Sequence, residues 1–424
     1  MDAMDRRTGP AAEGKSPEQL YRERVRRVLD VAALKVPDRV PIFGPYQAFP
    51  YFYYGVSIKD AMNDFALARK VCHRFVDEFQ PDLDFGPIFM YPAKAMETLG
   101  LKWFRWAGHG LDDNVMYQYV DGEYMKADEY DEFLQDPSHF MTTKWLPRSF
   151  QGLEGLAGFP PMRAMMWFGW TGLLAGMASP KVQEALRVAR EAGEELGRWF
   201  GSIGQYAGEI KAKGFPQAFA GFSWPPFDII GDTLRGTRGI LGDILRRPQK
   251  LLEALEVTTR IFIDYGSGAA GADVPFCWIW MHKGSGGFMS DQQFKTFYWP
   301  SLRKGILALI AKGITPVVYC EGDDTERLEY FADVPPGKVI YHFAQMDMAR
   351  AKAVLGGIAA ISGNLPNRLL LMGTPDDVRA HCRKLIDTCG KGGGYIMDTS
   401  ALLDEAKPEN VKALFETTRE YGVY

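Results

Sequence analysis

Residues 312–324 read KGITPVVYCEGDD, and this stretch decides the fold of the chain. Its apolar run, Thr315–Tyr319, follows a Lys-Gly pair and ends in a cluster of acidic residues. A short continuous apolar run is typical of a strand buried on both faces of a parallel sheet. The residues before it, Phe294–Lys312, follow the helix-start sequence SDQQ and predict a helix. A helix and a parallel strand are therefore predicted here.

The same alternation of helix and strand continues along the chain. Helix-start motifs predict further helices at Lys181–Phe200, at Val378–Cys389 and from Pro408 to Tyr421. Similar short apolar runs lie at Val40–Phe43, Val339–Phe343, Ala359–Ser362 and Gly394–Met397. Such alternation predicts parallel βα units. The preferred fold is an α/β, (β/α)8 TIM-type barrel forming a single domain over residues 16–424, and an open doubly wound sheet is the alternative.

Two segments fall outside this alternation. Met1–Lys15 lacks the apolar core of a signal peptide and is predicted to be a short disordered tail. Ala164–Pro180 is the longest uncharged run, but it is short and rich in glycine for a membrane span. We predict that it forms a buried strand with a loop.

Composition excludes several classes of protein. The net charge is −4 over 424 residues and neither half is strongly basic, which argues against nucleic-acid binding. The 5 cysteines are scattered and contain no CxxC pair, which argues against a disulfide scaffold and indicates a reducing compartment. We therefore expect a soluble, cytoplasmic enzyme that binds neither nucleic acid nor a membrane.

Residues that follow the apolar runs are the candidates for chemistry, because barrel active sites lie at the C-terminal ends of the strands. Glu321 follows one run directly, and His282 lies in WIWMHKGSGG, whose glycines permit close approach of a ligand. We take these two as catalytic, although a helix-start carboxylate and a solvated loop histidine are the structural alternatives. Candidates for substrate binding at other strand ends are Tyr319, His342, Gln345 and Asn364.

Consecutive aromatic residues in Tyr46–Tyr54 (YQAFPYFYY) have two interpretations. They could pack in the core, or they could form an aromatic wall of a ligand pocket. Pro50 and the absence of helical periodicity slightly favour a loop and hence the pocket wall. We therefore add Tyr46 and Phe49 to the predicted substrate-binding residues.

Several motifs in the second half of the chain carry a resemblance to a known family. They are GFMS at 287–290 with FYWP at 297–300, GNLP at 363–366, GTPDDV at 373–378 and PENVKAL at 408–414, with a looser match at DRVP, 38–41. In this order and spacing the chain resembles the uroporphyrinogen decarboxylase superfamily. That group contains (β/α)8-barrel decarboxylases and corrinoid-linked methyltransferases, so the resemblance implies this fold.

The departures from the family pattern concern its ligands. The decarboxylases bind substrate carboxylates through an Arg-Gln-Ala-Gly-Arg motif, whereas the corresponding region here, Gly44–Tyr54, has no arginine or lysine. The methyltransferases often hold zinc through His-x-Cys and a later cysteine, positions that here match Tyr319, Glu321 and the Asp398–Ser400 region. The resemblance thus leaves zinc as a candidate cofactor, with His282, Glu321 and Asp398 as its expected ligands.

The resemblance implies a methyltransferase that takes the methyl group of a small methylated compound, such as a methoxylated aromatic, in an O-demethylation. The acceptor would be a corrinoid (cobalamin) on a corrinoid-binding partner protein, because this chain lacks the corrinoid-ligating motif Asp-x-His-x-x-Gly. Zinc, or Glu321 or His282 as a general acid, would polarise the leaving atom. Family members often form homodimers, and we expect the same here.

Two other functions stay open. The chain could be a decarboxylase of a tetrapyrrole or another carboxylic acid, which would require cations such as Lys283, Arg105 or Arg163 in the pocket. It could also be a non-catalytic carrier of a corrinoid or tetrapyrrole, although the missing ligation motif argues against a corrinoid carrier.

Overall fold

The structure is a computed structural model that describes residues 14–44 and 46–424. The predicted tail, residues 1–15, lies almost entirely outside the described residues. In the described part, no helix combines the length and apolar character needed to cross a membrane.

Parallel strands form a closed barrel. The barrel strands are β1 (Phe43–Gly44), β2 (Leu83–Asp84), β6 (Gly221–Ser223), β7 (Phe276–Met281), β8 (Thr315–Asp323), β9 (Ile340–Gln345), β10 (Ala360–Ser362) and β11 (Tyr395–Ile396). A continuous parallel sheet runs in the order β11-β10-β9-β8-β7-β6, and β1 pairs in parallel with β2. Parallel bridges from Ile42 to Met397 and from Asp84 to Gln217 join these two sheets at both edges and close the ring. The predicted (β/α)8 barrel is confirmed.

Helices cover the barrel. The longer ones are Pro17–Ala32, Phe65–Phe79, Gly169–Met177, Pro180–Ala212, Gly236–Arg246, Pro248–Gly266, Trp299–Ala311, Met348–Leu355, Pro375–Leu385 and Pro408–Tyr421. Shorter helices are Phe49–Tyr53, Ile58–Asn63, Ala93–Leu99, Tyr130–Gln135, Pro137–Phe140, Leu146–Ser149, Pro226–Asp228, Asp291–Gln293, Leu328–Phe331 and Asn367–Met372. Helical turns with π geometry lie at Met141–Trp145, Ile229–Arg235, Phe294–Tyr298 and Ile386–Gly390.

The predicted helix starts are formed as the motifs indicate. Ser290 and Gln293 exchange hydrogen bonds in a capping box, and the helix that begins there continues without interruption to Ala311. The last helix has the predicted bounds. The helix predicted at Lys181–Phe200 is longer than expected, Pro180–Ala212, because a buried face at four-residue spacing (Ser202, Tyr206 and Ile210) continues beyond Phe200 despite three glycines.

The prediction for Ala164–Pro180 is wrong. The segment contains the helix Gly169–Met177 instead of a strand, and apart from the buried Leu173 most of its large apolar side chains lie on the surface. Trp167 is 92% exposed and Met166 is 74% exposed. The composition of an uncharged apolar run is the same whether the run is buried or exposed. Composition alone could therefore not reveal that this segment lies on the surface.

A small additional sheet is inserted between β2 and β6. It contains β3 (Phe104–Ala107), β4 (Gly110–Leu111) and β5 (Tyr117–Tyr119) in the order β4-β3-β5. The hydroxyl of Tyr119 donates to the backbone carbonyl of Asp232, 2.5 Å away, in the segment that follows β6. The insertion therefore lies over the C-terminal end of the barrel.

Ring contacts identify the inward face of the strands. Phe43 on β1 contacts Phe276 and Trp278 of β7, with ring centroids 6.3 and 5.9 Å apart, although these strands are not neighbours. This contact must cross the barrel interior. Because side chains alternate along a strand, Trp280 also points inward, and so does Tyr319, its register partner on β8.

The register continues this inward layer around the barrel. Tyr319 pairs with His342 on β9, and His342 pairs with Ser362 on β10. We call Tyr319, His342, Ser362 and Asp398 the floor of the site. His282 and Glu321 lie two residues beyond Trp280 and Tyr319 on their strands, so they form the next inward layer, which we call the rim.

Candidate functional site

His282 and Glu321 face each other at the rim. The Nε2 atom of His282 lies 3.8 Å from Oε2 of Glu321. Their side chains retain 34% and 44% of their exposure, so both are accessible from the open end of the barrel. The two predicted catalytic residues are thus brought together because β7 and β8 are neighbours in register. Cys320 points the other way, with its sulfur 3.9 Å from that of Met281.

Asp232 holds His282 in its charged form. Its Oδ2 lies 2.7 Å from Nδ1 of His282, and its Oδ1 accepts a hydrogen bond from Lys283. Burial alone would lower the pKa of His282, but the hydrogen bond and charge of Asp232, with Asp228 and Glu321, raise it to about 9. At neutral pH the imidazole is therefore protonated, with its Nε2–H directed towards Glu321.

A fully buried carboxyl group, Asp228, supports the rim from behind. Its Oδ2 accepts hydrogen bonds from the backbone N–H of His282, at 2.9 Å, and from the hydroxyl of Tyr298, at 2.7 Å. Burial and the neighbouring charge of Asp232 raise the pKa of Asp228 to about 6. The contact to the His282 backbone fixes the position of the loop that carries the imidazole.

The protonation of Glu321 depends on the same neighbours. Burial raises the pKa of Glu321, whereas the positive charge of His282 opposes that shift. A carboxylate beside an imidazolium can accept a proton from it or share one with it. The rim therefore has the donors and acceptors needed for acid–base chemistry at the barrel mouth.

The floor contains a histidine held by a carboxylate. Nδ1 of His342 lies 3.2 Å from Oδ2 of Asp398, which also accepts from the hydroxyl of Ser362 at 3.2 Å. The ring of His342 stacks on that of Tyr319, with centroids 3.9 Å apart. The predicted binding residues Tyr319 and His342 thus lie together, directly below the rim.

The predicted three-ligand metal site is not assembled. Asp398 pairs with His342 on the floor, while His282 and Glu321 pair with each other on the rim. Across residues 14–44 and 46–424 there is no group of three or more His, Cys, Asp or Glu side chains placed to hold a metal ion. Sequence order places all three residues at strand ends but does not say which layer each one joins. These side chains do not fit a zinc ion.

Tyr46 and Phe49, which the sequence predicted to form a pocket wall, are packed in the core. Tyr46 and Phe49 are each 2% exposed and contact the ring of Phe75 on the helix Phe65–Phe79. They pack between the barrel and its helices because Tyr46–Tyr54 folds into a short helix in place of an open loop. This packing favours the core interpretation of the two residues, and their part in substrate binding stays a prediction.

The inserted sheet supplies aromatic side chains near the rim. Tyr117 is largely buried, and burial together with the charges of Glu321 and Asp404 raises its pKa. Its ring contacts those of Tyr91 and Phe104, with centroids 5.8 and 4.9 Å away. An apolar substrate at the rim would meet this cluster.

The remaining sequence candidates support a turn, form an ion pair or are exposed. Asn364 donates from Nδ2 to the carbonyl of Met346 at 2.9 Å, which supports its turn. Gln345 is exposed at the end of β9. Of the cations considered for carboxylate binding, Lys283 pairs with Asp232, and Arg105 and Arg163 are exposed.

Sequence reasoning missed Asp228 and Asp232. Both follow β6, the strand Gly221–Ser223, whose short sequence GFS gives no apolar run to recognise. The strand-end rule that selected Glu321 would have selected these residues if that strand had been identified. Two acidic residues one helical turn apart after Pro225-Pro226 were the available signal.

Comparisons with known proteins agree with this architecture. Residues 184–421 match the uroporphyrinogen decarboxylase (URO-D) family model. Uroporphyrinogen decarboxylases of Aromatoleum aromaticum and Azoarcus sp. are each 25% identical, over 50% and 42% of this chain and 61% and 49% of their own lengths. That of Neisseria meningitidis serogroup C is 24% identical, over 47% of this chain and 58% of its own length. The chain therefore spans about half to three fifths of these relatives.

A solved structure extends the likeness over nearly the whole chain. A methyltransferase from Methanosarcina mazei superposes with a TM-score of 0.59, covering 94% of this chain and 98% of its own, at 16% sequence identity. At that identity the likeness concerns the fold. The family match covers more than half of the chain, and with the closed barrel it shows that the chain belongs to the uroporphyrinogen decarboxylase family.

Proposed function

We propose that this chain is a methyltransferase that moves a methyl group from a small methyl ether to a corrinoid carried by a partner protein. The observation that supports the proposal most directly is the position of His282, which pairs with Asp232 and faces Glu321 at the open end of the barrel. Demethylation of an ether leaves an oxygen anion, and a fixed proton donor beside that oxygen lowers the barrier.

The residues of the rim would act in a defined order. The bond between the methyl carbon and the ether oxygen breaks, its electron pair stays on oxygen, and that oxygen takes the proton from Nε2 of His282. The pKa of His282, raised to about 9, is close to that of a phenol, about 10, so this transfer is nearly balanced. When bound on its partner, the corrinoid supplies the nucleophile for the methyl carbon.

Other groups position this donor. Asp232 keeps the proton on the imidazole and fixes the ring through Nδ1. Glu321 lies 3.8 Å from Nε2, beyond hydrogen-bond distance, so it does not take up this N–H, which can donate to a substrate oxygen. The aromatic rings of Tyr117 and its neighbours limit the access of water to the reacting oxygen. The mechanism thus uses acid assistance and no metal ligand set.

The test is methylation of cob(I)alamin by a panel of aryl methyl ethers, followed by absorbance. The native chain should transfer the methyl group, and His282→Gln should be at least about 100-fold slower. His381→Gln, on the outer helix Pro375–Leu385, is the matched control and should keep the native rate. Absence of transfer with every donor, or native rates in His282→Gln, would contradict the proposal.

The names of the relatives favour a second candidate, decarboxylation of a carboxylic acid. It would use a cation to hold the carboxylate, but Lys283 already pairs with Asp232 at the rim. Release of carbon dioxide from uroporphyrinogen by the native chain would replace the methyl-transfer proposal with this one.

A further inference from the structure

Residues 162–174, which we call the tip, carry a group of large apolar side chains that lie on the surface. Single exposed apolar residues are ordinary on a protein, but a contiguous group of them marks a surface that docks on something. The members of this group, each at least 49% exposed, include Met165, Met166, Trp167, Phe168, Trp170 and Leu174.

The tip protrudes from the fold and does not form a flat face. The four consecutive residues from Met165 to Phe168 are all exposed. On a flat surface some residues of such a run would turn towards the interior, as Leu173 does in the helix that follows. Trp167 also has a φ of +51°, which a bulky residue rarely adopts and which is more often retained at a binding site. The backbone turns at this tryptophan and directs successive apolar side chains into solvent.

The tip lies beside the outer end of the long helix Pro180–Ala212. This helix reaches the end of β2 at Tyr206, whose hydroxyl donates to Asp84, 2.7 Å away. Its first residue is about 39 Å from Tyr206 along the helix axis, at 1.5 Å per residue. The outer part of the helix packs in a small core around Leu153 and Leu156, separate from the core of the barrel. The tip is therefore placed where an extended surface can reach it.

The charges around the tip have one sign. No aspartate or glutamate lies between Glu154 and Glu184, and the charged residues in that stretch are Arg163 and Lys181. Both are exposed, and neither forms an ion pair within the described part of the chain. Cations beside exposed apolar side chains complement a bilayer, which presents anionic headgroups over an apolar interior.

We propose that the tip docks on the surface of a lipid bilayer that contains anionic headgroups. Trp167 and Phe168 enter the boundary between headgroups and acyl chains, where tryptophan in particular prefers to lie. Arg163 and Lys181 contact the headgroup phosphates. Such attachment needs no membrane span, so it replaces the sequence-based expectation that the chain binds no membrane. It is independent of the proposed function.

A second copy of the chain fits these observations less well. A twofold interface brings the same surface of both copies together, so the positive charges around one tip would face those around the other. A second copy would also have to offer a cavity for a protruding turn, whereas a lipid surface deforms around it. The charge and the shape of the tip thus favour the bilayer.

The test is flotation of the full chain with vesicles of phosphatidylcholine and phosphatidylglycerol. The native chain should bind, and the double variant Trp167→Ser with Phe168→Ser should bind at least about tenfold more weakly, because most of the inserted apolar area is lost. Replacing both residues by leucine should restore binding. Leu245→Ser is the matched control, because Leu245 is 75% exposed on the helix Gly236–Arg246, and it should keep the native affinity.

The charge of the tip is tested with the same vesicles. Arg163→Gln should weaken binding about fivefold, and it should leave binding to vesicles of phosphatidylcholine alone unchanged. Failure of the native chain to bind the anionic vesicles, or equal binding by the double serine variant, would overturn the inference. So would a dimer, measured by sedimentation velocity without vesicles, that the double serine variant abolishes, because a second copy would then cover the tip.

Discussion

Two buried carboxyl groups at opposite ends of β2, Asp82 and Asp84, are held in opposite states. Asp82, before β2, accepts hydrogen bonds from Arg27, Arg39 and the backbone N–H of Ile42. Burial alone would raise the pKa of Asp82, but the charges of Arg39 and Arg27 hold it well below its ordinary value. Asp84, two residues later, has a hydrogen bond from Tyr206 but no arginine, and burial raises its pKa to about 7.

Two carboxyl groups near the C-terminal ends of other strands, Asp228 and Asp324, resemble Asp84, whereas at Asp232 the contacts with His282 and Lys283 outweigh burial and lower the pKa. The pKa of Asp228 is raised to about 6 and that of Asp324 to about 7, in both cases chiefly by burial. In barrels the N-terminal end serves stability and the C-terminal end carries the chemistry. The difference here is electrostatic: one end neutralises its acid with two guanidinium groups, and the other holds acids that can exchange protons near neutral pH.

The largest effect is expected from removing the neutralised acid. Asp82→Asn leaves Arg27 and Arg39 without the carboxylate that bridges them, and breaking a buried pair on one side costs about 3–5 kcal/mol. We expect the free energy of unfolding in urea at pH 7 to fall by about that amount. Because the native pKa is lowered, this stability exists above the ordinary pKa of an aspartate and is lost as the pH falls below it.

An exposed ion pair provides the control for this change. Asp77 pairs with Lys213 on the surface at 2.7 Å, and such pairs contribute about 0–1 kcal/mol. Asp77→Asn should therefore change the stability far less. If Asp82→Asn lowered the free energy of unfolding by less than about 1 kcal/mol, Arg27 and Arg39 would have to find other hydrogen-bond acceptors in the variant.

The next largest effect tests Asp84, with the opposite sign. Its raised pKa means that the native state is favoured with Asp84 neutral, so its contribution to stability falls as the pH rises from about 4 to about 7. Asp84→Asn keeps an acceptor for Tyr206 and removes this titration. Relative to the native chain, the variant should gain about 3–4 kcal/mol between pH 4 and pH 8.

The Asp84→Asn variant buries an amide, and the cost of doing so does not depend on pH. Comparing the free energy of unfolding at pH 4 with that at pH 8 removes this constant cost. Urea unfolding at both pH values gives this difference directly. The comparison of the two ends would fail if Asp84→Asn and the native chain showed the same dependence on pH.

A smaller effect is expected from replacing Asp232, the group that keeps His282 protonated. Without the hydrogen bond and charge of Asp232, which are the main causes that raise it, the pKa of His282 should fall from about 9 towards or below its ordinary value of 6.5. The acid form is present below this pKa and lost above it. Methyl transfer by Asp232→Asn should therefore drop at least about tenfold at pH 8 and recover at lower pH.

The full pH–rate profile distinguishes this role of Asp232 from a structural one. The alkaline limb should move to lower pH in Asp232→Asn, and it should stay in place in Asp273→Asn, which alters an exposed pair with Lys211. An unchanged limb with a uniformly lower rate would assign Asp232 to folding alone.

The sequence predicted the regular half of the barrel well. Thr315–Tyr319 and its neighbouring runs are apolar because both faces of those strands are covered, and this signal placed Glu321 and His282 correctly at the ends of neighbouring strands. The first half gave weaker signals, because β1, β2 and β6 are short and long insertions separate them.

Contacts between layers could not be predicted from the sequence. Asp398 and Glu321 both follow apolar runs, yet one joins the floor and the other the rim, which depends on strand register. An aromatic residue such as Phe49 occurs both in core helices and in the walls of ligand pockets. Residue type alone therefore does not distinguish these two positions. In each case the deciding quantity is a distance across the barrel, and spacing along the chain does not determine it.

The smallest effect is expected away from both ends, in the apolar segment that the sequence placed in the interior. Trp167 is 92% exposed, so replacing it removes almost no buried area. Substitutions at such positions usually change stability by less than about 0.5 kcal/mol, whereas a buried tryptophan replaced by a small residue costs about 3–5 kcal/mol. Trp167→Ser should therefore leave the urea midpoint unchanged, and Trp278→Ser, inside the barrel, should lower it strongly. A large loss of stability in Trp167→Ser would restore the buried strand that the sequence predicted and would contradict the surface position of this segment.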